Sequence, residues 1–169
     1  MAPTHYETAV VDYLRADRAL FVNTECCIQL HPAENPDLSG AHWYCDAVAV
    51  DFRAQSVFLC EFSYANPPKA LGDRLAEWYT DWPKVCAALL RDSHLPKDWP
   101  IRPWLFVPEA QINWIVGKIR KLQADASLSE RIPDPRITPL ELAQPWKYRS
   151  WDRVGELPKP ASIPESMQA

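Results

Sequence analysis

The sequence predicts one α/β domain with elements in the order α-β-β-β-α-β-α. Two observations carry this. Segments with apolar residues at helical spacing alternate with short runs of β-branched and aromatic residues. Between the first two helices lies a hairpin pattern, "HWYCDAVAVDFRAQSVFLCEFSYA", from His42 to Ala65. The 169 residues, 47% of them apolar and eight of them Trp, suit one domain with a real core and argue against disorder. Residues 1–132 are expected to form that domain. Residues 133–169 read as a Pro-rich extension, its end disordered or laid over the body as an arm.

The first helix is expected from about His5 to Arg18. Thr4 and Glu7 stand at capping-box spacing, and Val10, Val11 and Leu14 follow on one side. "ALFVNTECCIQLHP" is rich in strand formers and suggests a strand around Glu25 to Leu30, ended by Pro32. "HPAENPDLSG" is a loop by composition.

In the first arm of the hairpin, Tyr44, Asp46, Val48 and Val50 share one face, and Cys45, Ala47, Ala49 and Asp51 the other. In the second arm, Val57, Leu59, Glu61 and Ser63 oppose Phe58, Cys60, Phe62 and Tyr64. Both faces are mostly apolar, so the sheet is expected to be covered on both sides. The next helix opens after Pro67 and Pro68, carries the stripe Leu71, Leu75, Trp78 and Tyr79, and must bend or divide at Pro83. Arg102 to Val107 reads as a strand stopped by Pro108. The helix after it has Glu109 in its first turn and Lys118, Arg120 and Lys121 near its end, the charge order a helix dipole favours. Ile112, Ile115, Ile119 and Leu122 are its expected buried stripe. "RITPLELAQPW" suits a short strand or turn.

Composition excludes several classes. No apolar run approaches the length of a membrane-spanning helix, so no membrane association is expected. The first residues lack a basic region followed by an apolar stretch, so no signal peptide is expected. Five cysteines without a CxxC, and four histidines away from them, argue against zinc and suit reduced thiols in a cytoplasmic protein. The net charge of -4 does not advertise nucleic-acid binding, but it is uneven. Residues 1–96 carry 7 Lys and Arg against 13 Asp and Glu, while residues 97–169 carry 11 against 9. A mildly basic C-terminal part could supply phosphate contacts, although ordinary surface charge explains the same numbers. Within it, "QPWKYRSWDR" interleaves Trp146 and Trp151 with Lys147, Arg149 and Arg153. That composition suits nucleic-acid contacts, and equally a tail packed on its own domain.

Two carboxylates in the hairpin stand where apolar side chains are expected. If Arg53-Ala54 centres the turn, Asp46 lies directly opposite Glu61 on one face, and a one-residue slip would separate them. Like charges that close need a positive partner, a shared proton or a divalent cation, and Mg²⁺ suits oxygen ligands from one or two carboxylates plus water. Arg15, Arg18 or Arg74 could instead make a purely structural ion network with them.

This pattern resembles the PD-(D/E)xK nuclease superfamily, which has the restriction-endonuclease-like fold, a mixed β-sheet flanked by helices. The matching text is "CDAVAVD" for the Asp strand and "FLCEFSYA" for the ExK strand, over about residues 4 to 125, with fourteen residues between Asp46 and Glu61. The resemblance implies that Asp46 and Glu61 bind Mg²⁺ or Mn²⁺ for in-line attack of water on a nucleic-acid phosphodiester. It makes Glu7, on the first helix, a further metal-ligand candidate, although a capping role explains it as well. Asp51 is the second choice for the family Asp, its other reading being a turn residue. The family Lys is replaced by Ser63, whose hydroxyl cannot supply an ammonium's charge. Lys69 and Arg74, on the following helix, are candidates to replace it. The alternative is a catalytically inactive binding or regulatory module for a protein or nucleic-acid partner. A homodimer is compatible with either reading.

Overall fold

The computed structural model describes residues 5–30, 42–125, 127 and 132–148. A five-stranded mixed sheet with helices on both faces forms the body. Its elements are α1 (His5–Arg15), β1 (Leu20–Gln29), β2 (His42–Asp51), β3 (Ser56–Phe62), α2 (Lys69–Ser93), β4 (Ile101–Val107), α3 (Ile112–Gln123) and β5 (Arg136–Pro139). One-turn 3-10 helices at Glu109–Gln111 and Leu140–Ala143 follow β4 and β5. The strand order is β1-β2-β3-β4-β5. β1, β2 and β3 are antiparallel neighbours, whereas β4 and β5 join parallel to the strands before them.

The hairpin register is the one that an Arg53-Ala54 turn demands. Ala47 pairs with Cys60, Val50 with Val57 and Asp51 with Ser56. Asp51 is buried, and its Oδ1 accepts N–H bonds from Arg53 and Ala54, both at 2.9 Å, so it shapes the turn. β1 begins earlier than its strand-rich core suggests, because Leu20 to Thr24 find a continuous partner in β2.

Each face of the sheet carries its own core. On one, Val48, Val57, Leu59 and Leu105 pack against Leu71, Leu75, Trp78 and Val85 of α2 and Ile115 and Ile119 of α3. On the other, Ala47, Ala49, Phe58, Cys60, Trp104 and Phe106 pack against Val10, Tyr13 and Leu14 of α1. The alternation is broken in β1 and β2. Leu20 and Val22 pack with the α1 core, yet Cys26 and Ile28 pack with the α2 core. Ala47 and Ala49 likewise pack with the α1 core and Cys45 with the α2 core, so Cys45 departs from the face that a period of two assigns it. The switch falls at Glu25, whose φ of 51° lies in the left-handed region. The register is the same on either side of it, Thr24 opposite Ala47 and Cys26 opposite Cys45.

α2 runs through Pro83 as one bent helix. The bend falls at Asp81 (φ -119°, ψ 18°), two residues before the proline that lacks an N–H and crowds the preceding turn. α2 and α3 approach closely at Gly72. A Cβ there would lie 3.0 Å from the ring of Trp114, which caps this contact while remaining 36% exposed rather than entering the core. α1 is shorter than expected, ending at Arg15, and Thr4, its expected cap, is outside the described residues. Residues 133–169 are not wholly an extension, since β5 completes the sheet. The Trp104 Nε1–H donates to Thr138 Oγ1 at 2.9 Å, and the Arg136 guanidinium stacks 4.0 Å above the Trp104 ring. No helix among the described residues is long and apolar enough to cross a membrane.

Candidate functional site

The β2–β3 ladder runs in regular register from the turn to Ala47 and Cys60, where it ends. At the next position the Asp46 carboxylate, through Oδ2, accepts the backbone N–H of Phe62 at 2.8 Å. A side chain thereby takes a bond the strand would give to a backbone carbonyl. Glu61, buried at 5% exposure, extends from β3 toward α2, where its Oε1 accepts from Arg74 Nη1 at 2.8 Å. The same Arg74 nitrogen donates to the Tyr44 carbonyl at 2.6 Å.

The two carboxyl groups lie close enough to influence each other, and burial, more than that influence, shifts both. Burial pushes Glu61 well above its ordinary value of 4.5, and the charge of Asp46 adds to the rise, while Arg74 draws it back. Burial also raises Asp46 from 3.8. The Phe62 N–H, the bond to Glu61 and the charge of Arg74 oppose that rise, and the charge of Glu7 adds to it. Both carboxyls of the pair are therefore held above their ordinary values, chiefly by burial. Burial pushes the neighbouring thiols Cys45 and Cys60 up as well, with the charge of Glu61 contributing, so neither is an available nucleophile.

Two cavities meet at Asp46. One, of about 170 Å³, is lined by Asp46, Glu61, Phe62, Ser63, Ala70, Leu71 and Arg74. The other, of about 360 Å³, lies under α1 and includes Glu7, Asp12, Arg15, Glu25 and Asp46. The first holds both carboxylates in a space wide enough for more than one water. Its donors are hard oxygens, which suit Mg²⁺ or Mn²⁺, and Asp46 and Glu61 are the residues that would hold such an ion. Among the described residues no three His, Cys, Asp or Glu side chains converge as a ligand group, so Glu7 does not complete a triad with them. Two carboxylates plus water fit a divalent cation provided that Arg74 releases Glu61.

The structure thus brings together Asp46, Glu61, Ser63 and Arg74, with Glu7 across the second cavity. Lys69, the first residue of α2, is exposed and does not line the smaller cavity, although Ala70, Leu71 and Arg74 do. Ser63 presents a hydroxyl that accepts from the Ala65 N–H at 3.4 Å. Of the basic residues near the C-terminus, Lys147 is described, exposed on a groove of about 730 Å³ with His5, Tyr6, Tyr64 and Trp146. Arg149, Trp151 and Arg153 lie outside the described residues. Tyr148 packs edge-on against Tyr13, 5.1 Å between centroids, so the chain up to that point lies against its own domain.

Sequence reasoning did not find the Tyr44 carbonyl, the Phe62 N–H or the conformation of Glu25. Backbone groups carry no residue-type signal, and a glutamate in the left-handed region inside a strand has none either. Tyr6 and Tyr64, stacked at 4.6 Å and both partly exposed, also went unmarked, because their pairing joins α1 to the chain beyond β3.

Fold and site together define an α/β protein with a mixed five-stranded sheet flanked by helices, bearing a coupled carboxyl pair at the open end of its hairpin. Compared with protein-family models, with curated proteins and with solved structures, the chain matches none.

Proposed function

We propose that this chain is a restriction-endonuclease-like domain of the PD-(D/E)xK type, in which Asp46 and Glu61 hold Mg²⁺ or Mn²⁺ for hydrolysis of nucleic-acid phosphodiesters. The observation that carries the reading is the convergence of these two carboxylates, from neighbouring strands, on one cavity beside the start of α2. The element order and the antiparallel-then-parallel sheet support the same reading.

Within the reading, a bound cation supplies a Lewis acid at the phosphoryl oxygen. The chain's own residues do the rest. The Phe62 N–H orients Asp46 and keeps one of its oxygens occupied. Glu61, now ion-paired with Arg74, is the ligand that a cation would have to take from that guanidinium. Arg74 sits where a phosphate oxygen can reach its guanidinium. Ser63 contributes a hydroxyl where the family has an ammonium, which predicts slow cleavage.

Ser63 and the Arg74–Glu61 ion pair also favour a second reading, a domain of this fold that has lost its chemistry and binds a protein or nucleic acid. One experiment separates the two. Plasmid, linear and single-stranded DNA and an RNA are incubated with Mg²⁺ or Mn²⁺ and either wild-type protein or the Asp46→Ala/Glu61→Ala double variant. Cleavage by the wild type alone is expected; equal background cutting by both proteins removes the hydrolase and leaves the binding module.

A further inference from the structure

We infer that Arg74 is a resident competitor for the cation position, and that a phosphodiester relieves the competition, so that nucleic acid and divalent cation bind with positive coupling. This rests on the reading of Asp46 and Glu61 as a cation pair and adds how that pair is loaded.

The geometry of one side chain motivates it. Arg74 reaches both Glu61 Oε1 and the Tyr44 carbonyl through the single nitrogen Nη1. Its Nε and Nη2 make no hydrogen bond among the described residues. Among the described residues that leaves one planar edge of the guanidinium without a partner, on a side chain about one-third exposed that lines the same cavity as Asp46, Glu61 and Ser63. A guanidinium edge of this kind matches two oxygens of a phosphate. The partner it now holds, Glu61, is only 7% exposed at its side chain, so this carboxylate has little solvent to balance a second charge.

Two cations cannot share Glu61 cheaply. A divalent ion between Asp46 and Glu61 would lie beside the guanidinium and be repelled by it, so in the free protein the ion must displace Arg74. A phosphate changes this balance, because its oxygens offer the free edge of Arg74 a stronger partner and place negative charge between the two cations. Arg74 can then leave Glu61 without losing an anion. Whatever phosphate does for cation affinity, the cation must do for phosphate affinity by the same factor. No change of fold is required, only a change of partner by one side chain at the second turn of α2.

Other phosphates could occupy the free edge, and the arms of the test distinguish them. Mn²⁺ is titrated calorimetrically into wild-type protein, Arg74→Met and Arg74→Lys, each alone, with inorganic phosphate and with a ten-nucleotide single-stranded DNA; circular dichroism checks that each variant is folded. Without phosphate, Arg74→Met is expected to bind Mn²⁺ about tenfold tighter than wild type, and Arg74→Lys, which keeps the charge, to stay within about twofold. The DNA is expected to tighten Mn²⁺ binding about tenfold in wild type and to have no such effect in Arg74→Met. An equal gain with inorganic phosphate supports the competition but overturns the assignment to a phosphodiester. Equal Mn²⁺ affinity in wild type and Arg74→Met, lost in Asp46→Asn, overturns the competitor and leaves the cation pair standing. No Mn²⁺ binding in any protein overturns both.

Discussion

The two ends of the β2–β3 hairpin both bury carboxylates, and they treat them in opposite ways. At the turn end, Asp17 is fully buried, and its two oxygens face the fork of the Arg53 guanidinium at 3.1 and 3.3 Å while Ala19 donates its N–H at 3.0 Å. Asp51 beside it is satisfied by two backbone N–H groups. At the open end, Asp46 and Glu61 line one cavity, where the Arg74 guanidinium pairs with Glu61 and Asp46 accepts the Phe62 N–H. The turn end surrounds each acid with its own donors and is complete as it stands. The open end places two buried acids together with one arginine, and burial raises the pKa of both. That difference separates an acid that holds the fold from an acid that the proposed function would put to chemical use.

Three measurements sharpen or break the contrast. The largest effect is expected at the turn end. Asp17→Ala strips a buried acceptor from Arg53 and from the Ala19 N–H, and should lower the unfolding free energy in urea by about 2 kcal/mol. The partial exposure of Arg53 keeps this below the cost of breaking a fully buried pair. A loss under about 0.5 kcal/mol would make the turn end no more structural than the open end.

At the open end the sign should reverse. Asp46→Asn keeps an oxygen for the Phe62 N–H and removes the charge that opposes Glu61, so unfolding at neutral pH should show a gain of up to about 1 kcal/mol. A loss as large as that of Asp17→Ala would turn Asp46 into a plain structural residue.

The smallest effect is a slope. Glu61 has a folded pKa raised above its ordinary 4.5, so its contribution to stability is fully present below that value and is lost as the pH rises toward the raised one. In that window the unfolded chain releases its proton first and the folded chain retains it, so stability falls with rising pH. Subtracting the profile of Glu61→Gln from that of the wild type isolates this contribution. The difference should decline upward from about pH 4.5; a difference that rises would mean that Arg74 outweighs burial.

The register of the hairpin was legible because Asp51, Arg53 and Ala54 are turn residues and the alternation on either side leaves one pairing that buries both faces. The bend of α2 was legible from Pro83, which no packing can make an ordinary helix residue. That register sets Asp46 and Glu61 at the same end of the hairpin, one position past the last regular pair, Ala47 with Cys60. Less was legible where long-range partners decide. β1 extended back to Leu20 because β2 was there to pair with it. β5 formed in a Pro-rich stretch because an open edge of β4 accepts a parallel strand as short as Arg136–Pro139.

Local chemistry thus determined the element types and the turn, because each depends on residues within one hairpin or one helix. Only the tertiary structure decided that Arg74, thirteen residues beyond Glu61, would fill the space between helix and sheet, and that β1 and β2 would exchange faces at Glu25. These outcomes depend on how α1 and α2 are set against opposite faces of the sheet, a matter of packing among distant side chains that no local pattern encodes.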